Sequence, residues 1–258
     1  MHNSHNSPVA PPDERGRGLT SPLARRSFLR YTGASLAVGG LLLAGCSDDD
    51  EDTSIDPNAN LLDVGTGDIG ILNFAYALEQ LEAAFYAQVV GTTAGSFFNT
   101  TATEGEKAIL RDLKDHEAIH AAFFKSTLGT NAIRDLTPDF SSIDFTQRTT
   151  PTGSARLGVL DAAKAFEDLG VAAYNGAGRF ISSNDNLILA GKIVSVEARH
   201  AAVIRELLAP NTFVADDVVE INPTTGTGQE RSKRPQEVLQ TANRYLAPGS
   251  RLSANNFA

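Results

Sequence analysis

The sequence predicts an all-α protein built on a four-helix bundle, with one long crossover between the second and third helices and an irregular C-terminal tail. Apolar residues recur three and four positions apart in four segments, which is the period of a buried helix face. The connections within the first and second pairs of segments are short, so each pair should form an antiparallel hairpin. With 258 residues, of which 41% are hydrophobic, the chain can bury such a core.

Glycine, proline and capping residues set the limits of the four helices. The expected ranges are Asp68 to Gly91, Thr103 to Leu128, Gly153 to Ser182 and Leu187 to Leu208. Residues 130–152 contain two prolines and many Ser, Thr and Asp residues, so they should form the long crossover. Residues 183–186 are expected to form the turn between the third and fourth helices.

The bundle is therefore predicted to span residues 68–208, followed by a tail at residues 209–258. In the tail we expect one short helix from Pro235 to Leu246, because a proline opens a short apolar pattern there. Residues 212–219 could extend locally, but no strand pattern competes with the helical ones. The tail is otherwise expected to be irregular.

The first 45 residues are expected to be a cleaved export signal. Arg25 and Arg26 precede an uncharged stretch, residues 31–45, that is too short to span a membrane. This pattern resembles a bacterial twin-arginine signal, and the Leu-Ala-Gly-Cys sequence that ends at Cys46 resembles a lipoprotein cleavage box. We therefore expect export by the twin-arginine route.

Cys46 is the only cysteine, and two interpretations compete for it. A free cysteine is commonly a small buried hydrophobe. However, Cys46 follows a signal-like segment and precedes an acidic run, residues 48–52, that no core would hold. We therefore expect Cys46 to carry a lipid, with residues 46–67 as an acidic tether, and the protein to be a cell-envelope lipoprotein on the periplasmic or outer surface.

Charge and cysteine content exclude several classes of site. The formal net charge is -9, whereas phosphate contacts need a basic surface, so nucleic acid is not an expected partner. A single cysteine allows no intrachain disulfide and no cysteine-based zinc or iron–sulfur site. Thiolate ligands are therefore not expected at any metal site in this chain.

The two halves of the bundle each contain a Glu-x-x-His sequence, Glu117 with His120 and Glu197 with His200. Residues three positions apart share a helix face, so both side chains can reach one ion. One such pair alone is more often a hydrogen-bonded pair on the surface. Two pairs on apolar faces, with one Glu from each remaining helix, predict a site for two metal ions. Carboxylates with a minority of imidazoles favour Fe or Mn over Cu.

The first-helix segment from Leu72 to Tyr86 resembles the opening of the ferritin-like domain family, which includes plant desiccation-related proteins and many exported bacterial proteins. The resemblance covers residues 68–208, and the two Glu-x-x-His pairs extend it to the wider ferritin, bacterioferritin and rubrerythrin superfamily. It implies a ferritin-like bundle in which Glu167 is the ligand from the third helix and both Glu-x-x-His pairs are ligands.

The ligand from the first helix is less defined, because Glu79 and Glu82 both lie on its apolar face. The resemblance selects Glu79, since a tyrosine often lies seven residues after this ligand and Tyr86 does so. Glu82 is the alternative ligand, or a bridging or outer carboxylate. Tyr86 and Tyr174 are then hydrogen-bond donors to the ligand carboxylates or, equally, ordinary core aromatics. His116 should lie on the surface or just outside the ligands.

This ligand set supports two hypotheses of function. The first is an oxidoreductase with two Fe or Mn ions per chain, ferroxidase-like or catalase-like, that acts on Fe(II), O2 or peroxide. The second is a non-enzymatic envelope protein that uses the bundle as a stress-protective or binding scaffold, with structural metal or none. The expected partners are metal ions, small oxidants, the membrane through the lipid and, in a homodimer, a second copy of the chain.

Overall fold

Four long helices form a bundle in the computed structural model, which describes residues 61–222, 224 and 227–257. The helices in these ranges are α1 (Gly67–Val89), α2 (Phe97–Thr100), α3 (Glu104–Leu128), α4 (Val159–Ala177), α5 (Asn184–Leu208) and α6 (Pro235–Ala242). Helix α1 packs against α3 and α4 packs against α5, so the chain forms two helical hairpins joined by a long crossover. The predicted all-α bundle is confirmed.

Short strands pair the loops and the ends of this unit, although no strand pattern stands out in the sequence. They are β1 (Leu62–Asp63), β2 (Ile143–Asp144), β3 (Leu157–Gly158), β4 (Val219–Asn222), β5 (Thr227–Glu230) and β6 (Leu252–Ser253). Strands β1 and β6 are parallel, β2 and β3 are parallel, and β4 and β5 form an antiparallel hairpin. With two to four residues each, they fasten loops rather than build a layer of the fold.

Helix α3 begins and ends where its local sequence predicts. The Thr103 hydroxyl accepts from the Glu106 amide at 3.2 Å, and the Glu106 carboxylate accepts from the Thr103 amide at 2.8 Å. This reciprocal cap satisfies amide groups that the first helical turn leaves unpaired. At the other end Gly129 has a φ of 55°, a value that favours glycine, and the helix stops there.

Two predicted helix starts are wrong. The third helix begins at Val159 rather than near Gly153, because Leu157 and Gly158 pair in parallel with strand β2 and hold the chain extended. The fourth begins at Asn184 rather than Leu187, because the Ser183 hydroxyl accepts from the Asn186 amide at 3.3 Å and so caps the helix. The residues expected to form a turn, 184–186, are therefore the first turn of α5.

The C-terminal tail packs on the bundle. Val238 and Leu239 of α6 are buried in the same hydrophobic cluster as the bundle core. The segment before α6 crosses α4 closely: the Lys233 amide donates to the Ala172 carbonyl at 2.9 Å, and a Cβ on Gly176 would lie 1.8 Å from the Lys233 carbonyl oxygen. Only glycine leaves room for the backbone at that crossing.

The main core is rich in aromatic rings drawn from four parts of the chain. Phe85 of α1 lies 4.9 Å, centroid to centroid, from Phe166 of α4, and Phe166 lies 4.7 Å from Tyr245 of the tail. Phe140 of the crossover contacts Phe85 and Phe166 as well. The tail and the crossover therefore close the core that α1 and α4 begin.

Two predictions about the membrane fall on different parts of the chain. Within the described ranges, no helix combines the length and the apolar character needed to cross a bilayer. The predicted export signal and the lipid-attachment site at Cys46 lie outside the described residues.

Candidate metal centre

The four bundle helices bring six of the predicted ligand side chains into one buried cluster. Helix α1 supplies Glu79, α3 supplies Glu117 and His120, α4 supplies Glu167, and α5 supplies Glu197 and His200. All four glutamates are 0% exposed, and the His200 residue is 4% exposed. The His120 side chain is 13% exposed, so the cluster lies nearest to solvent on the side of α3 and α5 that carries the imidazoles.

The ligand atoms of the cluster form two overlapping groups. We call the group formed by Glu79, Glu117, His120 and Glu197 the His120 position, and the group formed by Glu117, Glu167, Glu197 and His200 the His200 position. Within each group the ligand atoms lie within 4.8 Å of one another. Because Glu117 and Glu197 belong to both groups, each of these two carboxylates offers one oxygen to the His120 position and the other oxygen to the His200 position.

At the His120 position, the imidazole nitrogen Nδ1 faces three carboxylates. It lies 2.8 Å from Glu197 Oε1, 3.3 Å from Glu79 Oε2 and 3.5 Å from Glu117 Oε2. The Glu117 contact follows from the three-residue spacing along α3, whereas the other two cross to α1 and α5. One imidazole therefore meets oxygens from three different helices.

The His200 position repeats this arrangement with the two hairpins exchanged. Nδ1 of His200 lies 2.8 Å from Glu117 Oε1, 3.4 Å from Glu197 Oε2 and 3.6 Å from Glu167 Oε2. Glu167 on α4 thus corresponds to Glu79 on α1. The two Glu-x-x-His sequences, one in each half of the bundle, are therefore related by an approximate twofold arrangement of side chains around the cluster.

Tyr86 and Tyr174 each donate a hydrogen bond to a glutamate of the opposite hairpin, and this glutamate belongs to only one of the two positions. The Tyr86 hydroxyl donates to Glu167 Oε1 at 2.6 Å, and the Tyr174 hydroxyl donates to Glu79 Oε1. Both tyrosines are thus hydrogen-bonded to predicted ligands, which distinguishes them from ordinary core aromatics. Each leaves the second oxygen of its glutamate, Oε2, directed to the cluster.

Glu82, the alternative ligand from α1, is buried but is in neither group of converging ligand atoms within the described ranges. A Cβ on Gly170 would lie 3.0 Å from Glu82 Oε1, so the glycine leaves the space that this carboxylate fills. Gly170 follows Glu167 by three residues, as Glu82 follows Glu79. The two halves therefore differ here: one has an extra carboxylate where the other has no side chain.

His116 contacts the predicted ligand His200, a partner that the sequence did not specify. It is exposed, yet its Nδ1 lies 2.9 Å from Nε2 of His200, and the two rings are nearly parallel, with centroids 5.1 Å apart. The sequence carries one signal for this contact, because His116 precedes His120 by four residues and so lies on nearly the same face of α3.

Burial and mutual repulsion dominate the electrostatics of the carboxylates. Burial raises the pKa of Glu79 to about 8, and burial with the nearby Glu117 raises the pKa of both Glu82 and Glu167 well above the usual range. Glu117 is the exception: burial opposes its charge, but contact with the imidazoles lowers its pKa to about 2. Protonated and ionised carboxyl groups thus coexist in the cluster.

The imidazoles show the opposite effect. Burial alone would lower the pKa of each, but the surrounding carboxylates raise the pKa of His120 to about 12 and that of His200 to about 10. In the metal-free protein both rings therefore carry a proton on the nitrogen that faces the carboxylates. Positive charge is favoured at both positions.

The cluster leaves its polar atoms without aligned hydrogen bonds. In the described part of the chain, the buried atoms with no hydrogen-bond partner include Glu79 Oε2, both oxygens of Glu117, His120 Nδ1, Glu167 Oε2, both oxygens of Glu197 and His200 Nδ1. The nitrogen–oxygen contacts given above are close but not aligned for hydrogen bonding. Buried polar groups are normally paired. These carboxylate oxygens and imidazole nitrogens are therefore a set of ligand atoms that could hold metal.

A four-helix bundle with buried carboxylates and imidazoles that could hold metal is typical of ferritin-like proteins. The family model described as "Ferritin-like domain" matches residues 67–210, more than half of the chain. The chain therefore belongs to the ferritin-like domain family. No curated protein matches it.

Proposed function

We propose that this chain binds two Fe or Mn ions, one at the His120 position and one at the His200 position, and acts as an oxidoreductase on Fe(II), O2 or peroxide. One observation carries the proposal: eight buried ligand atoms without a hydrogen-bond partner converge on two positions. Four ionised glutamates carry four negative charges, which two divalent cations balance. Without cations, each buried carboxylate would cost several kcal/mol.

Each residue has a definite part in this proposal. Glu117 and Glu197 hold the two ions side by side, because both positions share them. Tyr86 and Tyr174 fix the outer carboxylates by hydrogen bonds, and the buried aromatic core around Phe85 keeps bulk water away. The bound ions would supply the redox chemistry, while the protein supplies geometry and a dry surrounding.

The first test is the metal content of the purified chain after growth with iron and, separately, with manganese, without chelators. We expect about two ions per chain. Glu117→Ala and Glu197→Ala should each lower the content at both positions, because each removes a shared carboxylate. Glu220→Gln, which alters an exposed carboxylate in the β4–β5 hairpin, is the matched control and should keep both ions.

The outcomes separate the two hypotheses of function. A folded, helical chain that binds neither metal would contradict the proposal and support the scaffold hypothesis. Full metal content in both Glu117→Ala and Glu197→Ala would place any bound metal elsewhere.

The activity itself is tested on the loaded protein. Fe(II) oxidation is followed by absorbance and peroxide breakdown by oxygen release, each against the Glu117→Ala variant. We expect at least one reaction to depend on this residue. Two bound ions with neither reaction would leave a metal protein without the proposed oxidoreductase activity.

The same proposal places the bundle at the cell envelope. The paired Arg25 and Arg26, the uncharged stretch after them and the acidic run after Cys46 support export by the twin-arginine route and attachment through a lipid. We expect Cys46→Ala to abolish labelling by a fatty-acid probe in cells, whereas Ser47→Ala should keep it. A labelled Cys46→Ala product would rule out this anchor.

A further inference from the structure

An exposed histidine contacts a predicted metal ligand from outside the cluster. Nδ1 of His116 lies 2.9 Å from Nε2 of His200, and the planes of the two rings are 15° apart. Nδ1 of His200 lies on the other side of its ring, 2.8 Å from Glu117. His200 is therefore held on both ring nitrogens, one by the cluster and one by His116.

The contact determines where the hydrogens of both rings lie. If Nδ1 of His200 donates its lone pair to a metal ion, the hydrogen of this neutral ring must be on Nε2. That N–H then donates to Nδ1 of His116, which must act as the acceptor. Outer hydrogen bonds of this kind fix the orientation of a ligating imidazole and increase its basicity.

In the described part of the chain, the other imidazole of the cluster has no equivalent contact. His120 presents Nδ1 to three carboxylates, as His200 does. Among the described residues, however, no hydrogen bond involves its outer nitrogen Nε2. The two metal positions are thus closely matched in their carboxylates but differ in the support of their imidazoles.

We propose that His116 is a positioning residue that makes the two metal positions unequal, so that the His200 position binds its ion more tightly than the His120 position. This inference rests on the proposed function, because it requires both positions to bind metal. His116 does not itself ligate an ion. It orients His200 and fixes the nitrogen that faces the cluster.

The test is a calorimetric titration of the metal-free full chain with Mn(II). The unaltered chain should bind two ions in two resolved steps. His116→Ala should weaken the tighter step by about 10- to 100-fold and the weaker step by less than about threefold. Ile119→Ala, which alters an exposed residue three positions further along α3, should change neither step.

Two further variants, each used as a background for His116→Ala, show which binding step belongs to which metal position. Glu167→Gln alters a ligand of the His200 position alone, and Glu79→Gln alters a ligand of the His120 position alone. We expect the effect of His116→Ala to persist fully in the Glu79→Gln background. In the Glu167→Gln background the remaining step should not respond to His116→Ala.

A rescue variant separates positioning from general stability. The side-chain oxygen of His116→Asn can accept the Nε2–H of His200 near the place of Nδ1. We therefore expect His116→Asn to restore the tighter step to within about threefold to tenfold of the unaltered chain. Equal melting temperatures of the metal-free Ala and Asn variants would show that folding does not cause the difference.

Three results would overturn the inference while leaving the proposed function intact: two equal steps in the unaltered chain, two steps that His116→Ala does not change, or an effect of His116→Ala on the His120 position. No metal binding in the unaltered chain would instead contradict the proposed function. The two failures are therefore distinguishable.

Discussion

The buried imidazoles and carboxylates hold protons in the places that cations would take. His120 and His200 have pKa values raised to about 12 and about 10 by the carboxylates around them, although burial opposes this. Burial also raises the pKa of Glu79 to about 8. At pH 7 these groups are therefore largely protonated in the metal-free protein, and a metal ion must displace protons in order to bind.

We therefore expect metal binding to release about three to four protons per chain at pH 7, from the two imidazoles and from the Glu79 and Glu167 carboxyl groups, and the apparent affinity to rise between about pH 6 and pH 8. The sign follows because pH 7 lies below the raised pKa values of both imidazoles. Calorimetry with Mn(II) in two buffers of different protonation enthalpy measures the released protons. Heats that do not depend on the buffer would contradict this prediction.

For single residues, the sequence predicts most of the ligand side chains of the site. The two Glu-x-x-His pairs are visible because a three-residue spacing fixes a shared helix face. The choice between Glu79 and Glu82 is not visible, since both share the apolar face of α1. It depends on which carboxylate Tyr174 and His120 reach from other helices, and such contacts are set by packing.

Single elements are also tied together by polar contacts outside the cluster. Asp68, in the first turn of α1, accepts from the amide and hydroxyl of Ser182 at 2.8 and 2.6 Å. It also accepts from the Ser183 amide at 3.0 Å and the Asn186 side chain at 2.8 Å. One carboxylate thus joins the start of α1 to the start of α5.

We expect Asp68→Ala to lower the free energy of unfolding by about 1–2 kcal/mol at pH 7, as measured by urea denaturation. Hydrogen bonds from Ser182, Asn186 and Ser183 lower the pKa of Asp68. The stabilisation is therefore present above the unfolded-state pKa of about 4, and it is lost as pH falls towards the lower folded-state value.

Asp112→Ala is the control for this prediction, because Asp112 is an exposed carboxylate in the middle of α3. It should change the free energy of unfolding by less than about 0.5 kcal/mol. A loss in Asp68→Ala no larger than this control, or one that stays constant down to pH 3, would show that the carboxylate does not join the two helices.

The helix ends show which signals in a sequence are local. The reciprocal cap at Thr103 and Glu106 and the stop at Gly129 depend on neighbours within four residues, and both lie where predicted. The start of α4 depends on pairing between strands β2 and β3, and these two strands are 14 positions apart in register. A periodicity argument cannot include that contact, so it places the start several residues too early.

On the scale of the whole molecule, the tail is part of the folded unit. Its backbone crosses α4 at Gly176, and Val238 of α6 is 0% exposed. At Gly176 this packing depends on the absence of a side chain. A β-carbon there would overlap the Lys233 carbonyl.

We expect Gly176→Ala to lower the free energy of unfolding by about 1–3 kcal/mol, because the tail must move off α4 to admit the methyl group. Gly191→Ala is the matched control, since a Cβ at that position in α5 would meet nothing within 4 Å. It should stabilise the protein by up to about 1 kcal/mol through helix propensity. Thermal or urea unfolding measures both, and equal shifts of the same sign would contradict the docked tail.

The parallel pairing of β1 with β6 sets Leu62 beside Leu252. The first and last strands of the described unit are thus neighbours, and the path of the backbone is nearly a closed ring. A ring can be opened at another point without changing its contacts. A circular permutant that joins these neighbouring ends and opens in the exposed segment between α1 and α2, residues 91–95, should therefore keep the bundle and its cluster intact.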